Sequence, residues 1–192
     1  VKLLKRYNPD VITLDIEMPG MSGIDFLKRL MNARPTPVVM ISSLTQKGAD
    51  ATIRALDLGA IDFVPKRRLN NKLDKKRFMR EVKMKVKNAS LVNVSKHKKE
   101  TSKDKSTKSG LAYNKKMILI GASTGGVQSI KKMIQKFPSN TPPILIIQHM
   151  PKFFTKSFAN SLDNVANIKV KEAKNLEIVK KNTAYIAPGD YH

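Results

Sequence analysis

Met117-Ile118-Leu119-Ile120-Gly121-Ala122-Ser123-Thr124-Gly125-Gly126 decides the fold of the second half of this 192-residue chain. Its short apolar run has the length and composition of a buried strand in a parallel sheet. A Gly-x-Ser-x-Gly turn closes the run. Val127, Ile130, Met133 and Ile134 then recur at helical spacing, which predicts a strand over 117–120 and a helix over about 125–136. Working outward, Ile144-Leu145-Ile146-Ile147 reads as a second strand that delivers Gln148-His149-Met150 at its end. A helix over 153–162, a short strand near 168–170 and a strand over 183–187 follow. Strands separated by helices at this spacing mean βα units and a parallel sheet.

The glycine-rich corner admits three readings. It allows tight strand-to-helix packing, it cradles a phosphate at a helix N-terminus, or it presents Ser123 as a nucleophile on a sharp turn. Neither a P-loop lysine nor a G-x-G-x-x-G pattern accompanies it. His149 favours the third reading. Consecutive parallel strands usually lie side by side, with their C-terminal ends on one edge, and a serine nucleophile needs a base. Asp163 and Asp190 are the nearest carboxylates, and neither is assigned as a partner of His149.

The first part of the chain repeats the βα rhythm. Asp10-Val11-Ile12-Thr13-Leu14, Pro37-Val38-Val39-Met40-Ile41 and Ile61-Asp62-Phe63-Val64 read as strands. Ser22 caps a helix carrying Ile24, Phe26, Leu27, Leu30 and Met31, which Pro35 and Pro37 end. A second helix reads from Asp50 to Leu58, stopped by Gly59. Asp15, Ser42-Ser43 and Lys66 each end a strand, so a carboxylate, a hydroxyl and an ammonium converge on the edge where open α/β sheets bind ligands. Residues 72–87 form a basic amphipathic helix with Leu73, Phe78, Met79, Val82 and Val86 as its apolar positions. From Asn88 to about residue 116 periodicity lapses, the composition of a tether.

The net charge of +22 suggests a nucleic-acid binder, but its distribution does not. Residues 67–116 hold 18 Lys/Arg against 4 Asp/Glu, which is +14 of the total. A basic run of this kind is a solvated linker unless a fold presents it. No helix-turn-helix, zinc-ligand or aromatic RNA-binding signature is present. The chain has no cysteine, so disulfides and thiolate metal sites are excluded. No apolar run approaches the roughly 20 residues needed to span a bilayer. The expectation is a cytoplasmic protein with no membrane insertion.

Leu14-Asp15-Ile16-Glu17-Met18-Pro19-Gly20-Met21-Ser22-Gly23, Val39-Met40-Ile41-Ser42-Ser43 and Gly59-Ala60-Ile61-Asp62-Phe63-Val64-Pro65-Lys66 together resemble a two-component receiver domain. The resemblance implies phosphorylation at Asp15, contacts from Ser42 and Lys66 to the phosphoryl group, Phe63 as a packing switch, and Mg²⁺ held by Asp15 and the backbone carbonyl of Glu17. The serine turn, Gln148-His149-Met150-Pro151, Ser157-Phe158-Ala159 and Ala184-Tyr185-Ile186-Ala187-Pro188-Gly189-Asp190 resemble the protein-glutamate methylesterases of bacterial chemotaxis, the CheB family.

That family implies a receiver, a linker and a methylesterase domain in this order: a flavodoxin-like receiver over 1–87, a basic linker over 88–116, and the beginning of a parallel-sheet catalytic domain over 117–192. It implies Ser123 as nucleophile, His149 as base and Thr124 as a pocket neighbour, with a third acid that no position here matches. It further implies phosphorylation-regulated hydrolysis of glutamyl methyl esters on chemoreceptors, deamidation of receptor glutamines, and a chemotaxis histidine kinase as phosphodonor. The esterase itself needs no cofactor. By this resemblance the chain lacks the first receiver strand and the end of the catalytic domain, and is expected to be inactive alone. The reading from another class is a non-catalytic phosphoacceptor module of a two-component pathway.

Overall fold

The computed structural model describes residues 2–94 and 116–191. The chain divides into two compact units, residues 1–99 and 100–192.

The first unit opens on a short helix, α1 (Lys2–Tyr7), that the sequence pattern did not announce. Arg34 ties it down by donating to the Leu4 carbonyl at 3.0 Å. Strands β1 (Ile12–Asp15), β2 (Val38–Ser43) and β3 (Asp62–Lys66) pair in parallel in that order. Helix α2 (Gly23–Ala33) starts where expected, because the Ser22 side chain accepts the Asp25 N–H. Its first residue must be glycine. A Cβ on Gly23 would stand 1.9 Å from the Asp15 carbonyl, so the helix start lies directly against the strand end that carries Asp15. Helix α3 (Gln46–Asp57) begins four residues before the expected Asp50. Thr45 caps it by accepting the Gly48 N–H, and the helix opens on Gln46, Lys47 and Gly48, with small Ala49 as the first apolar side chain.

Helix α4 (Lys72–Ser90) corrects the expectation twice. Phe78, Val82 and Val86 pack against the core as predicted, but Leu73 and Met79 are exposed. Lys85 and Ala89 occupy buried positions instead. The linker expected from residue 88 also starts too early. Ala89 and Val94 are buried with Val39, Ile61 and Val64, so apolar burial carries the first unit past residue 88. The expected linker residues 95–115 lie outside the described part of the chain.

In the second unit, β4 (Ile118–Ala122), β5 (Ile144–Gln148), β6 (Lys169–Glu172) and β7 (Thr183–Ile186) form an all-parallel sheet in the order β4-β5-β7-β6. Helix α5 (Gly126–Ile134) crosses from β4 to β5, and α6 (Phe154–Asp163) follows β5. Ile130, Ile134, Ile144, Ile146, Phe154, Phe158, Leu162 and Ile186 are essentially inaccessible. Each such side chain contributes about 1.5–3 kcal/mol by leaving water. Both units are thus parallel α/β sheets, as read from the sequence, and both candidate sites lie at strand C-terminal ends. No helix among the described residues is long and apolar enough to cross a membrane.

Candidate active site

The register of the second sheet pairs Ala122 on β4 with Gln148 on β5. Ser123 and His149 each stand one residue beyond that rung, on strands about 4.8 Å apart. The pairing continues past it, since the His149 N–H donates to the Ala122 carbonyl at 3.0 Å. Both residues are exposed. No side-chain hydrogen bond joins them among the described residues. Open spacing is ordinary before substrate is present, because such bonds tighten in the reacting complex.

The corner differs from a hydrolase elbow in one respect. Among the described residues, Ser123 is absent from the non-glycine positions with positive φ, and the left-handed residue is Gly125, at φ 74° and ψ −6°. With the Gly126 N–H donating to the Ser123 carbonyl at 2.8 Å, Ser123–Gly126 is a type II turn that requires glycine at its third position. The second glycine has a separate cause. A Cβ on Gly126 would stand 2.3 Å from Gln148 Oε1 and 2.7 Å from the Ala122 Cβ. Conformation and packing therefore account for both glycines without a bound phosphate.

Sequence reasoning passed over Gln148, although it directly precedes the histidine. It is 7% exposed and its Nε2 donates to the Ser123 carbonyl at 3.0 Å. It also passed over the support of the histidine loop. Gly189 lies so close beneath Pro151 and Lys152 that a Cβ would stand 2.4 Å from their backbone atoms. The Gly189 N–H donates to buried Thr155 Oγ1 at 3.1 Å, and Thr155 donates to Glu172 at 2.6 Å. Pro188-Gly189-Asp190 is thus a brace under the segment that follows His149. Thr124 is half-exposed beside Ser123. Asp163 is engaged elsewhere, accepting from Lys169 Nζ at 2.6 Å and from the Val170 N–H at 2.7 Å. Partial burial opposes its ionisation, but these two donors outweigh burial and hold its carboxyl below the usual range.

In the first unit the carboxylate and the ammonium expected at one strand edge meet. Asp15 Oδ2 meets the Lys66 ammonium at 2.6 Å, and Asp15 Oδ1 accepts the Glu17 N–H at 3.0 Å. Ser43 Oγ donates to Glu17 at 3.4 Å. Ser42 is not on this rim. It is 1% exposed, and its hydroxyl donates to the Gly48 carbonyl at 3.1 Å and accepts from Thr52 at 2.6 Å. Phe63 is also buried. Its carbonyl accepts from Lys85 Nζ at 2.6 Å, and that ammonium lies 5.0 Å from its ring centroid.

These features define a class: a receiver-like unit with an aspartate–lysine rim, joined in sequence to a unit that pairs a serine with a histidine. Residues 1–78 match the response regulator receiver domain model, and residues 118–192 match the CheB methylesterase model. Over 190 residues the chain is 47% identical to a protein-glutamate methylesterase/protein-glutamine glutaminase of Salmonella typhi, covering 99% of this chain and 54% of that protein. A protein of the same name from Shigella boydii serotype 4 is also 47% identical, with 61% of it covered. The crystal structure of the Thermotoga maritima CheB methylesterase catalytic domain matches at 50% identity and a TM-score of 0.39, over 40% of this chain and 41% of that one. The chain belongs to the CheB family. It spans about half the length of the curated relatives it matches.

A receiver domain implies Mg²⁺ for phosphorylation. Among the described residues, however, no three His, Cys, Asp or Glu side chains gather as a metal would require. Asp15 and Glu17 share one strand end, and Lys66 already neutralises Asp15. These residues do not by themselves make a Mg²⁺ site.

Proposed function

We propose that the natural protein hydrolyses glutamyl methyl esters on chemoreceptors by acyl transfer through Ser123, and that it deamidates receptor glutamines at the same site. One observation carries the reading. Ser123 and His149 stand, exposed, one step beyond the paired residues Ala122 and Gln148 at the C-terminal edge of a parallel sheet. His149 takes the Ser123 proton as Oγ attacks the ester carbonyl. The tetrahedral intermediate collapses, methoxide leaves with the proton from His149, and an acyl-serine remains. Water, deprotonated by His149, then attacks the acyl carbon and releases glutamate and free serine. Thr124 lines the pocket beside the nucleophile.

Regulation is assigned to the first unit. A chemotaxis histidine kinase phosphorylates Asp15, and Lys66 moves from the carboxylate to the phosphoryl oxygens. Ser42 gives up its Gly48 and Thr52 partners to reach the same group, and Phe63 repacks. The setting is the cytoplasm. The test is methanol release from methylated receptor by the natural full-length protein. Ser123→Ala and His149→Ala are expected to lower turnover by at least about 10³-fold. Turnover retained by Ser123→Ala would leave the phosphoacceptor-module reading in its place.

A further inference from the structure

We infer that Gln148 is a positioning residue: its buried amide fixes the peptide after Ser123 so that the Thr124 N–H faces the reacting carbonyl. The inference rests on the proposed esterase reading and assigns part of that site.

The argument starts from an incomplete hydrogen-bond inventory. Gln148 Nε2 donates to the Ser123 carbonyl, while Oε1 is buried without a partner among the described residues. A carbonyl can only accept, so the amide orientation is set by chemistry: the NH₂ must face Ser123 and the oxygen must take the orphaned place. A buried acceptor left unpaired costs roughly 1–3 kcal/mol. Packing alone would favour an apolar side chain here, and an unsatisfied buried polar atom in a native fold asks for a reason. Gly126 sharpens the point, because the turn gives up a Cβ to admit this side chain.

The reason lies in the peptide that Gln148 holds. The Ser123 carbonyl receives two donors, Gly126 N–H at 2.8 Å and Gln148 Nε2 at 3.0 Å, and both lie on the protein side of the turn. Every peptide bond among the described residues is trans. In a trans peptide the N–H points opposite to the C=O. The Thr124 N–H therefore points away from Gln148, outward from the turn on which exposed Ser123 stands. It has no hydrogen-bond partner among the described residues. A free N–H on the residue after a nucleophile is the geometry that stabilises an oxyanion. Without Gln148 a single turn hydrogen bond would hold this peptide, and rotation of the plane would withdraw the donor.

The dipeptide Gln148-His149 thus grips the serine turn twice, through the Gln148 amide at Ser123 O and the His149 backbone at Ala122 O. One strand end delivers the base and sets the peptide that meets the developing charge.

The test is steady-state methanol release from methylated receptor by the natural full-length protein and two variants. Gln148→Met keeps length and apolar bulk but cannot donate. Its kcat should fall on the order of 10²-fold, with KM within about two-fold, because oxyanion stabilisation acts on the transition state. Gln148→Glu keeps the shape and donates only when protonated. Its kcat should approach wild type at acid pH and drop as pH rises, where wild type holds its plateau. A Gln148→Met protein with kcat within about three-fold of wild type overturns the inference, and so does a wild-type pH profile in Gln148→Glu. If Gln148→Met does not fold, as read by its melting temperature, the Glu pH profile decides. A wild type that releases no methanol removes the esterase reading and this inference with it, an outcome distinct from an active wild type with indifferent variants.

Discussion

Replacing Lys85 by methionine should unlock the first unit at its third strand. Lys85 and Asp62 are 6% and 7% exposed, with Nζ 3.1 Å from Asp62 Oδ1. Asp62 Oδ1 also accepts the Phe63 N–H at 2.7 Å, but Oδ2 is buried with no partner among the described residues. Methionine preserves the apolar stem and removes the ammonium, leaving a buried carboxylate with one backbone donor. Breaking such a pair from one side costs about 3–5 kcal/mol. Lys85→Met/Asp62→Asn, which strands no charge, should recover most of the stability. Urea titration with pulsed hydrogen exchange, read by mass spectrometry on peptides covering Asp62–Lys66, isolates this unit. A Lys85→Met protein within about 1 kcal/mol of wild type at pH 7 would falsify the reasoning.

Two smaller perturbations follow from the second unit. Gly189→Ala places a Cβ 2.4 Å from backbone atoms of Pro151 and Lys152, which cannot give way as a side-chain tip can. It should lower stability by about 1–3 kcal/mol and reduce turnover with Ser123 intact, and an unchanged melting temperature would contradict the brace. Asp163→Asn retains an acceptor for the Val170 N–H and loses only the part-exposed Lys169 pair. The cost at pH 7 should be at most about 1 kcal/mol. Because the folded carboxyl is held below its usual range, its stabilisation is present above about pH 4 and lost as pH falls through the folded value. Unfolding curves of the two proteins should therefore converge below pH 4, and a difference that widens there contradicts the assignment.

Much of the fold was legible because its strands are short apolar runs and its helices carry one apolar stripe. The Ile144–Gln148 strand and the Ser22 cap came directly from that pattern. What escaped has physical causes. Helix α3 opens on Gln46, Lys47 and Gly48, which carry no large apolar side chain, so periodicity could not locate its start. Lys85 and Asp62 read as solvated charges because the partners that let them be buried, each other and the Phe63 backbone, are brought together only by the fold. The one hint was a lysine in the stripe formed by Val82, Val86 and Ala89.

By itself the sequence determined two parallel α/β units, the ends of the strands that bear chemistry, and the candidate residues there. Consecutive parallel strands usually lie side by side, so Asp15 with Lys66, and Ser123 with His149, could be expected on common edges in advance, whereas the insertion of β7 between β5 and β6 could not. Only the tertiary structure decided which way each group faces. It turned Ser42 inward and brought Ser43 to Glu17. It also put the left-handed residue of the serine corner at Gly125 and pointed the Gln148 amide at the Ser123 carbonyl. Side-chain direction depends on packing and on hydrogen-bond partners distant in sequence, and no local pattern encodes those.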